Sequence, residues 1–218
     1  MKSLRKKSVH SRKLTYLTAF TMVLALAGCS NTDDESPDLE ETTDASVSDP
    51  VEYIPASEDG PAENVPEPRL PAEATESSQE GALKALDHFW ESAQFARLTG
   101  DASALESISA TSCDFCSSFA ADWRAAYEEG KWAVSEGDLT YNIREAWTSE
   151  EDGTQSLDVL FTLSEPSTKI YAEGGRIEQE SANTDESSDW FALMYYDATS
   201  QRWEVAWIGL EELVSWED

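Results

Sequence analysis

Histidine and positive charge are what this chain has least of. Among 218 residues the only histidines are His10 and His88, and 15 Lys and Arg stand against 44 Asp and Glu. A surface this acidic repels phosphate backbones and anionic headgroups, so the sequence argues against nucleic acid as a partner. Three cysteines are too few for a disulfide scaffold, and no second Cys or His pair exists to complete a zinc site. There is no Gly-rich phosphate loop and no nucleophile elbow. Acidic pairs such as Glu150-Glu151 and Glu211-Glu212 are adjacent rather than convergent. The sequence therefore yields no catalytic residues, no cofactor site and no metal site.

The N-terminus is the one place with clustered positive charge. Lys2, Arg5, Lys6, Lys7, Arg12 and Lys13 precede an apolar run, Leu14 to Ala27, that is shorter than the roughly 18 to 20 residues a spanning helix needs. The run closes in Leu26-Ala27-Gly28-Cys29, which resembles a bacterial lipobox. In proteins with that signal the preceding peptide is removed and the cysteine sulfur carries a diacylglyceryl group. Cys29 is thus the expected lipid-attachment residue, anchoring the chain on the extracytoplasmic face of the cell membrane. The basic segment has no Arg-Arg pair, which disfavours twin-arginine export. Six of the 15 basic residues and none of the acids precede Cys29, so the mature chain would carry nine against 44, a formal balance of −35. Attachment then has to come from the acyl chains, at ~0.8 kcal/mol per buried methylene.

From Ser30 to about Glu80 the composition is that of a tether: Asp, Glu, Ser, Thr and Pro with few large apolar side chains. Such a stretch cannot bury enough surface to offset chain entropy and is expected to be disordered. Prolines 50, 55, 61, 66, 68 and 71 would stiffen and extend it. It lacks the spaced Asp loop of a calcium site.

Helical periodicity begins near Ser78. Leu83, Leu86, Phe89, Trp90, Ala93 and Ala96 share one face of a helix ending at Gly100. A short helix over Ala102 to Ile108 and a third over Cys113 to Glu129 follow. After Gly130 the pattern alternates: Leu139 to Trp147, Leu157 to Leu163, Thr168 to Ala172, Arg176 to Ser181, Trp190 to Tyr196 and Arg202 to Gly209 read as strands. Glu173-Gly174-Gly175-Arg176 signals a tight hairpin. The fold class expected is α+β, with N-terminal helices packed on a curved antiparallel sheet.

With Cys29 assigned to lipid, Cys113 and Cys116 remain as a pair one helical turn apart, read as a structural disulfide; a redox Cys-x-x-Cys site is the alternative. His88 falls about 150° from the apolar stripe and is expected to face solvent. Eight tryptophans, including Trp203 and Trp207 placed on one strand face with Val205, fill a core or line a cavity.

The order Pro66-Glu67-Pro68-Arg69-Leu70-Pro71-Ala72-Glu73-Ala74, Gly81-Ala82, Phe89-Trp90, Gly100-Asp101, Ser112-Cys113-Asp114-Phe115-Cys116 and Gly130 resembles a family of actinobacterial lipoproteins with a domain of unknown function. Helices followed by a curved sheet also resemble the nuclear transport factor-like cone fold, which includes enzymes and non-catalytic modules. The resemblance covers Pro66 onward, and together with the N-terminal signal and the acidic composition the expected organisation is a signal peptide over 1–28, a disordered acidic linker over 29–65 and a cone-like domain over 66–218. The leading functional expectation is a non-catalytic cell-envelope module that binds a small molecule or a protein partner. The alternatives are a cavity enzyme of isomerase or hydratase type, with Asp158 or Glu145 as general base, and an accessory subunit of a membrane complex.

Overall fold

The computed structural model describes residues 52–182 and 188–213. The signal segment, Cys29 and Trp216 lie outside the described residues. Among those described, three helices, α1 (Gln79–Thr99), α2 (Ser103–Ser107) and α3 (Asp114–Glu128), precede seven strands. These are β1 (Trp132–Glu136), β2 (Thr140–Glu151), β3 (Thr154–Ser164), β4 (Ser167–Ala172), β5 (Arg176–Ser181), β6 (Asp189–Asp197) and β7 (Arg202–Leu210). The expected α+β arrangement of helices against antiparallel strands is what the chain forms.

The strands divide into two ladders, β1-β4-β5 and β2-β3-β6-β7. One long bent hairpin links them, with β1 and β2 along one arm and β3 and β4 along the other. Glu136 pairs with Ser167 on one side of the bend and Thr140 with Ser164 on the other. Between these pairs, three residues of one arm face Glu165-Pro166, where proline has no N–H to continue the ladder. The curvature expected of a single sheet is thus concentrated at one corner. β4 and β5 turn at Glu173-Gly174-Gly175, with φ of +83° and +72° at the two glycines, as the tight-turn pattern requires.

Alternation sends Leu157, Val159, Phe161 and Leu163 of β3 to the helical side, where they meet Ala192, Met194, Trp203 and Val205. A bulge breaks the register between Leu193 and Met194 against β7. Trp203 and Val205 therefore face the core while Trp207 pairs with Leu193 on the opposite face. This corrects the expectation that the three share a face: an extra residue in one strand inverts every side chain beyond it.

α1 is the central element and is buried over a wide arc. Beside the large apolar stripe runs a second one of Gly81, Ala85, His88, Ser92 and Ala96. Its small members carry little apolar bulk, so the stripe is inconspicuous in sequence, yet they let neighbours approach closely. His88 lies in this stripe and is only 4% exposed, contrary to the solvent-facing position expected. Burial lowers its pKa, and Ser92 Oγ lies 3.5 Å from its Nε2.

The stretch expected to be a disordered tether is instead tied to the domain by hydrogen bonds at several points within the described residues 52–80. Ile54 and Glu63 exchange backbone hydrogen bonds of 3.0 and 2.9 Å, and the turn they close is pinned by Trp132, whose Nε1 donates to Ser57 O at 2.7 Å. A 3-10 turn, Ala72–Thr75, then packs on α1 with Ala74 fully buried. Trp203 Nε1 donates to Glu76 O at 2.8 Å and Tyr196 Oη to Thr75 O at 3.0 Å. The composition is still that of a solvated chain. What orders it is backbone hydrogen bonding to aromatic side chains of the domain, which apolar content does not reveal. Of the linker expected over 29–65, residues 29–51 lie outside the described residues.

Gly81 is where this strap and α1 touch. A Cβ there would stand 2.3 Å from Glu76 O and 2.8 Å from Glu73 O. Alanine favours a helix over glycine by about 1 kcal/mol, but both obstructing atoms are backbone, Glu76 O held by Trp203 Nε1 and Glu73 O by Glu76 N. We expect Gly81→Ala to destabilise the fold by about 1–3 kcal/mol in urea unfolding, the cost of overpacking a fixed site. A gain in stability would show that the strap moves freely.

Candidate functional site

A third face of α1 is built differently from the other two. Asp87, Trp90, Glu91, Gln94, Phe95 and Leu98 follow the spacing i, i+3, i+4, i+7, i+8, i+11, which aligns them along one side of the helix. Across from them run Val65 to Pro68 and, from the sheet side, Leu139 and Tyr141. Pro66 and Pro68 fix their own φ, and Pro68 also biases Glu67 toward extended backbone, so this wall is a short stiff segment outside the sheets. The open groove between the walls has a volume of about 520 Å³, within the range of ligand-binding clefts.

Its apolar walls are Val65, Phe95, Leu98 and Leu139, all half-buried. Its polar groups are acidic. Tyr141 Oη donates to Asp87 Oδ1, and Lys84 Nζ lies 3.3 Å from Asp87 Oδ2. Burial, the hydrogen bond to Asp87 and the charges of Asp87 and Glu91 together raise the Tyr141 pKa, so this hydroxyl keeps its proton. Glu67 and Glu91 have no ion-pair partner among the described residues.

Two side chains of the groove lining each carry a polar atom that is covered, with no hydrogen-bond partner among the described residues: Trp90 Nε1 and Gln94 Oε1. Trp90 is 4% exposed, its ring packed against Phe89, Tyr141 and Phe161. An unpaired buried donor or acceptor costs roughly 1–3 kcal/mol. Here one donor and one acceptor stand a single helical turn apart, about 6 Å along the axis. The signal in the sequence was the presence of Phe95 and Leu98 off the core stripe, two large apolar residues with no place in the helix-sheet interface.

A second opening lies between α3 and β4–β5. Two contiguous spaces of about 440 and 240 Å³ share Phe119, Trp123, Ile170 and Gln179. Arg97 is at its base, 5% exposed, with Nη2 3.0 Å from Glu165 Oε1 and its guanidinium 5.8 Å from the Trp123 ring centre. This is a buried cation held by a carboxylate and an aromatic face.

The residues singled out as general bases are not brought to either opening. Asp158 lies on the sheet face away from the helices, in register with Trp147 and Leu193. Burial there pushes its pKa up to about 6. Glu145, expected to be buried, is exposed on the same face beside Leu160. Cys113 and Cys116 stand at disulfide distance, with Cα atoms 5.3 Å apart, and both are buried. Cys113 also caps α3, its Sγ accepting from Cys116 N at 3.2 Å. Among the described residues there is no cluster of three or more His, Cys, Asp or Glu suited to a metal ion. No described helix is long and apolar enough to cross a membrane.

Residues 51–207 match a family described as being of unknown function, DUF6318. The chain belongs to this family. No curated protein matches it. Among solved structures, this DUF6318 chain is similar to the intermembrane space region of the chloroplast protein ARC6, at 12% identity and a TM-score of 0.45, over 62% of this chain and 97% of that one. It is also similar to an NTF2-like protein with a cystatin-like fold from Novosphingobium aromaticivorans, at 12% identity and a TM-score of 0.31, over 61% and 80% of the two chains.

The raised pKa of Asp158 gives a pH signature. Its carboxyl ionises from 3.8 in the unfolded chain and from about 6 in the fold. Stability is therefore undiminished below pH 3.8, falls as pH rises through this window, and stays reduced above about 6. Asp158→Asn should raise the melting temperature at pH 7.5 and change it much less at pH 4. Equal effects at both pH values would mean the carboxylate is solvated in the fold.

Proposed function

We propose that this DUF6318 chain is a membrane-anchored extracytoplasmic lipoprotein of the actinobacterial cell envelope. Its folded domain is a non-catalytic binding module, and the α1 groove is the binding site. The observation that carries the binding reading is the open groove itself, about 520 Å³, walled by Val65, Phe95, Leu98 and Leu139 and rimmed by Glu67, Asp87 and Glu91. Pro66, Glu67, Pro68 and Trp90 line this groove and also belong to the motifs on which the lipoprotein resemblance rests. The lipobox at Leu26-Ala27-Gly28-Cys29 supports the anchor.

The isomerase or hydratase alternative named Asp158 or Glu145 as general base, and both sit on the outer sheet face, away from the groove. That face favours a second reading, the accessory subunit. Leu160, Leu193, Trp147 and Trp207 lie on it, with Trp147 39% exposed, an apolar surface of the kind a partner protein covers.

Two measurements test the proposal. Cys29→Ser in the full chain should move the protein from the membrane fraction to the soluble fraction, and persistence in the membrane with the signal removed would refute the anchor. For the groove, the chain from Ser30 onward is screened by thermal shift against envelope fragments and metabolites. A ligand at a hundredfold excess over its Kd stabilises by about 2.7 kcal/mol, and a groove ligand should lose this effect in Gln94→Trp. Flat melting curves throughout, or hits indifferent to Gln94→Trp, would count against the groove as the site.

A further inference from the structure

We infer that His88 is a proton-operated latch: while its ring is neutral the strap, Leu70 to Ser78, lies closed over it, and protonation in mild acid lifts the strap off α1. The latch does not rest on the reading of the α1 groove as a binding site. His88 shares a space of about 50 Å³ with Leu70 and Ala74 of the strap, Ser107 and Ile108 at the end of α2, and Arg202 and Trp203 of β7. Its Nε2 lies 3.5 Å from Oγ of Ser92, which is itself fully buried. Its Nδ1 is covered and has no hydrogen-bond partner among the described residues. A neutral ring with its proton on Nε2 therefore leaves one bare acceptor unpaired. A second proton would fall on Nδ1, making a buried cation and a donor that nothing accepts.

The charges around the ring do not offset that cation. Glu91, one turn further along α1, favours the charged form, but it is exposed, and burial outweighs it and holds the His88 pKa below the usual 6.5. Lys84, one turn back, is bonded to Asp87. From β7 the charged group at the space is a second cation, Arg202, with Nη2 3.0 Å from Glu204 Oε1. Arg69, Glu73 and Glu76 of the strap segment are exposed, and Glu106 of α2 is exposed and bonded to Arg124. Relief has to come from admitting water, and the strap is the element that yields. α1 is a helix of 21 residues, β7 is laddered to β6, and the end of α2 is tied to β7 by Val205 N to Ile108 O and Ala110 N to Val205 O, both 2.9 Å. The strap is held by burial of Ala74 and by side-chain hydrogen bonds with Trp203, Tyr196 and Gln155. Segments held by so little open locally, at a cost below that of global unfolding.

The experiment follows hydrogen exchange by NMR in the chain from Ser30 to Asp218, where His88 is the only histidine. The reporter is the indole N–H of Trp203, which donates to Glu76 O and is freed when the strap lifts. Its opening constant is the measured rate divided by the intrinsic rate at the same pH. Between pH 7.5 and 5.5 this constant should rise by about tenfold, because the open ring takes up a proton that the closed one refuses. The backbone amides of Leu157 to Leu163 report global unfolding, and their opening constants should stay about a hundredfold or more below that of Trp203 at both pH values. His88→Gln, which keeps a polar group but cannot titrate, should hold the Trp203 constant level to within about twofold over the same range. The unsubstituted chain supplies a check that no variant can spoil: the ring proton of His88 should titrate with a midpoint below 6.5. A Trp203 constant independent of pH, or one that rises equally in His88→Gln, would overturn the latch. One opening constant shared by Trp203 and the β3 amides would replace it with plain acid unfolding. A His88 midpoint at or above 6.5 would show that the closed strap does not oppose the proton, and the inference would fall.

Discussion

The rest of the domain depends on one close contact, the backbone of Glu73 to Glu76 lying against α1 at Gly81. No side chain fits between them. The contact is held from the far side by the indole of Trp203, fully buried in the core and donating to Glu76 O, with the ring of Tyr196 tilted against it and its hydroxyl donating to Thr75 O. One tryptophan on β7 thereby joins three layers: the sheet that carries it, the helix whose neighbours it packs among and the strap it bonds. Because the strap is fixed at this point, the residues before it, Val65 to Pro68, are delivered to the edge of α1 and become a wall of the groove. The groove follows from the packing of a segment whose composition resembles that of a linker.

Much of the architecture was legible because periodicity reports burial on one face. α1 and α3 follow from their large apolar stripes, and six of the seven strands from alternation and glycine turns. β1 was missed: Trp132 to Glu136 is five residues long, directly after α3, and too short for alternation to stand out. Other misses share a different cause, which is that small residues and backbone atoms bury surface without any apolar signal. His88 looked exposed because its stripe is made of Gly81, Ala85, Ser92 and Ala96. The strap looked unfolded because its partners are carbonyl oxygens. Trp207 faced the wrong way because a single bulge residue is invisible in a pattern of alternating apolar residues.

The candidate site was legible only in fragments. Pro66 to Pro68 and Trp90 stood out as motif residues, but nothing in the sequence placed them together, since the strap that unites them was read as tether. The acids chosen for their positions in strands lie on the opposite sheet face. Gln94 gave no signal at all, because an amide in a helix is ordinary until its surroundings are known.

What distinguishes the groove from other polar irregularities of the interior is how its unpaired atoms are disposed. Among the described residues four buried side-chain atoms lack a partner: His88 Nδ1, Trp90 Nε1, Gln94 Oε1 and Arg97 Nε. His88 borders a space of about 50 Å³ with Ala74, Ser107 and Trp203, room for a few water molecules. Arg97 has its charge satisfied through Nη2 by Glu165 and by the face of Trp123. These two need nothing larger than solvent or what they already hold. Trp90 and Gln94 differ in that their side chains line one space of about 520 Å³, while the two unpaired atoms themselves are covered. Each left unpaired carries a cost of roughly 1–3 kcal/mol, and only a shift of the groove lining that uncovers it lets a partner recover that cost.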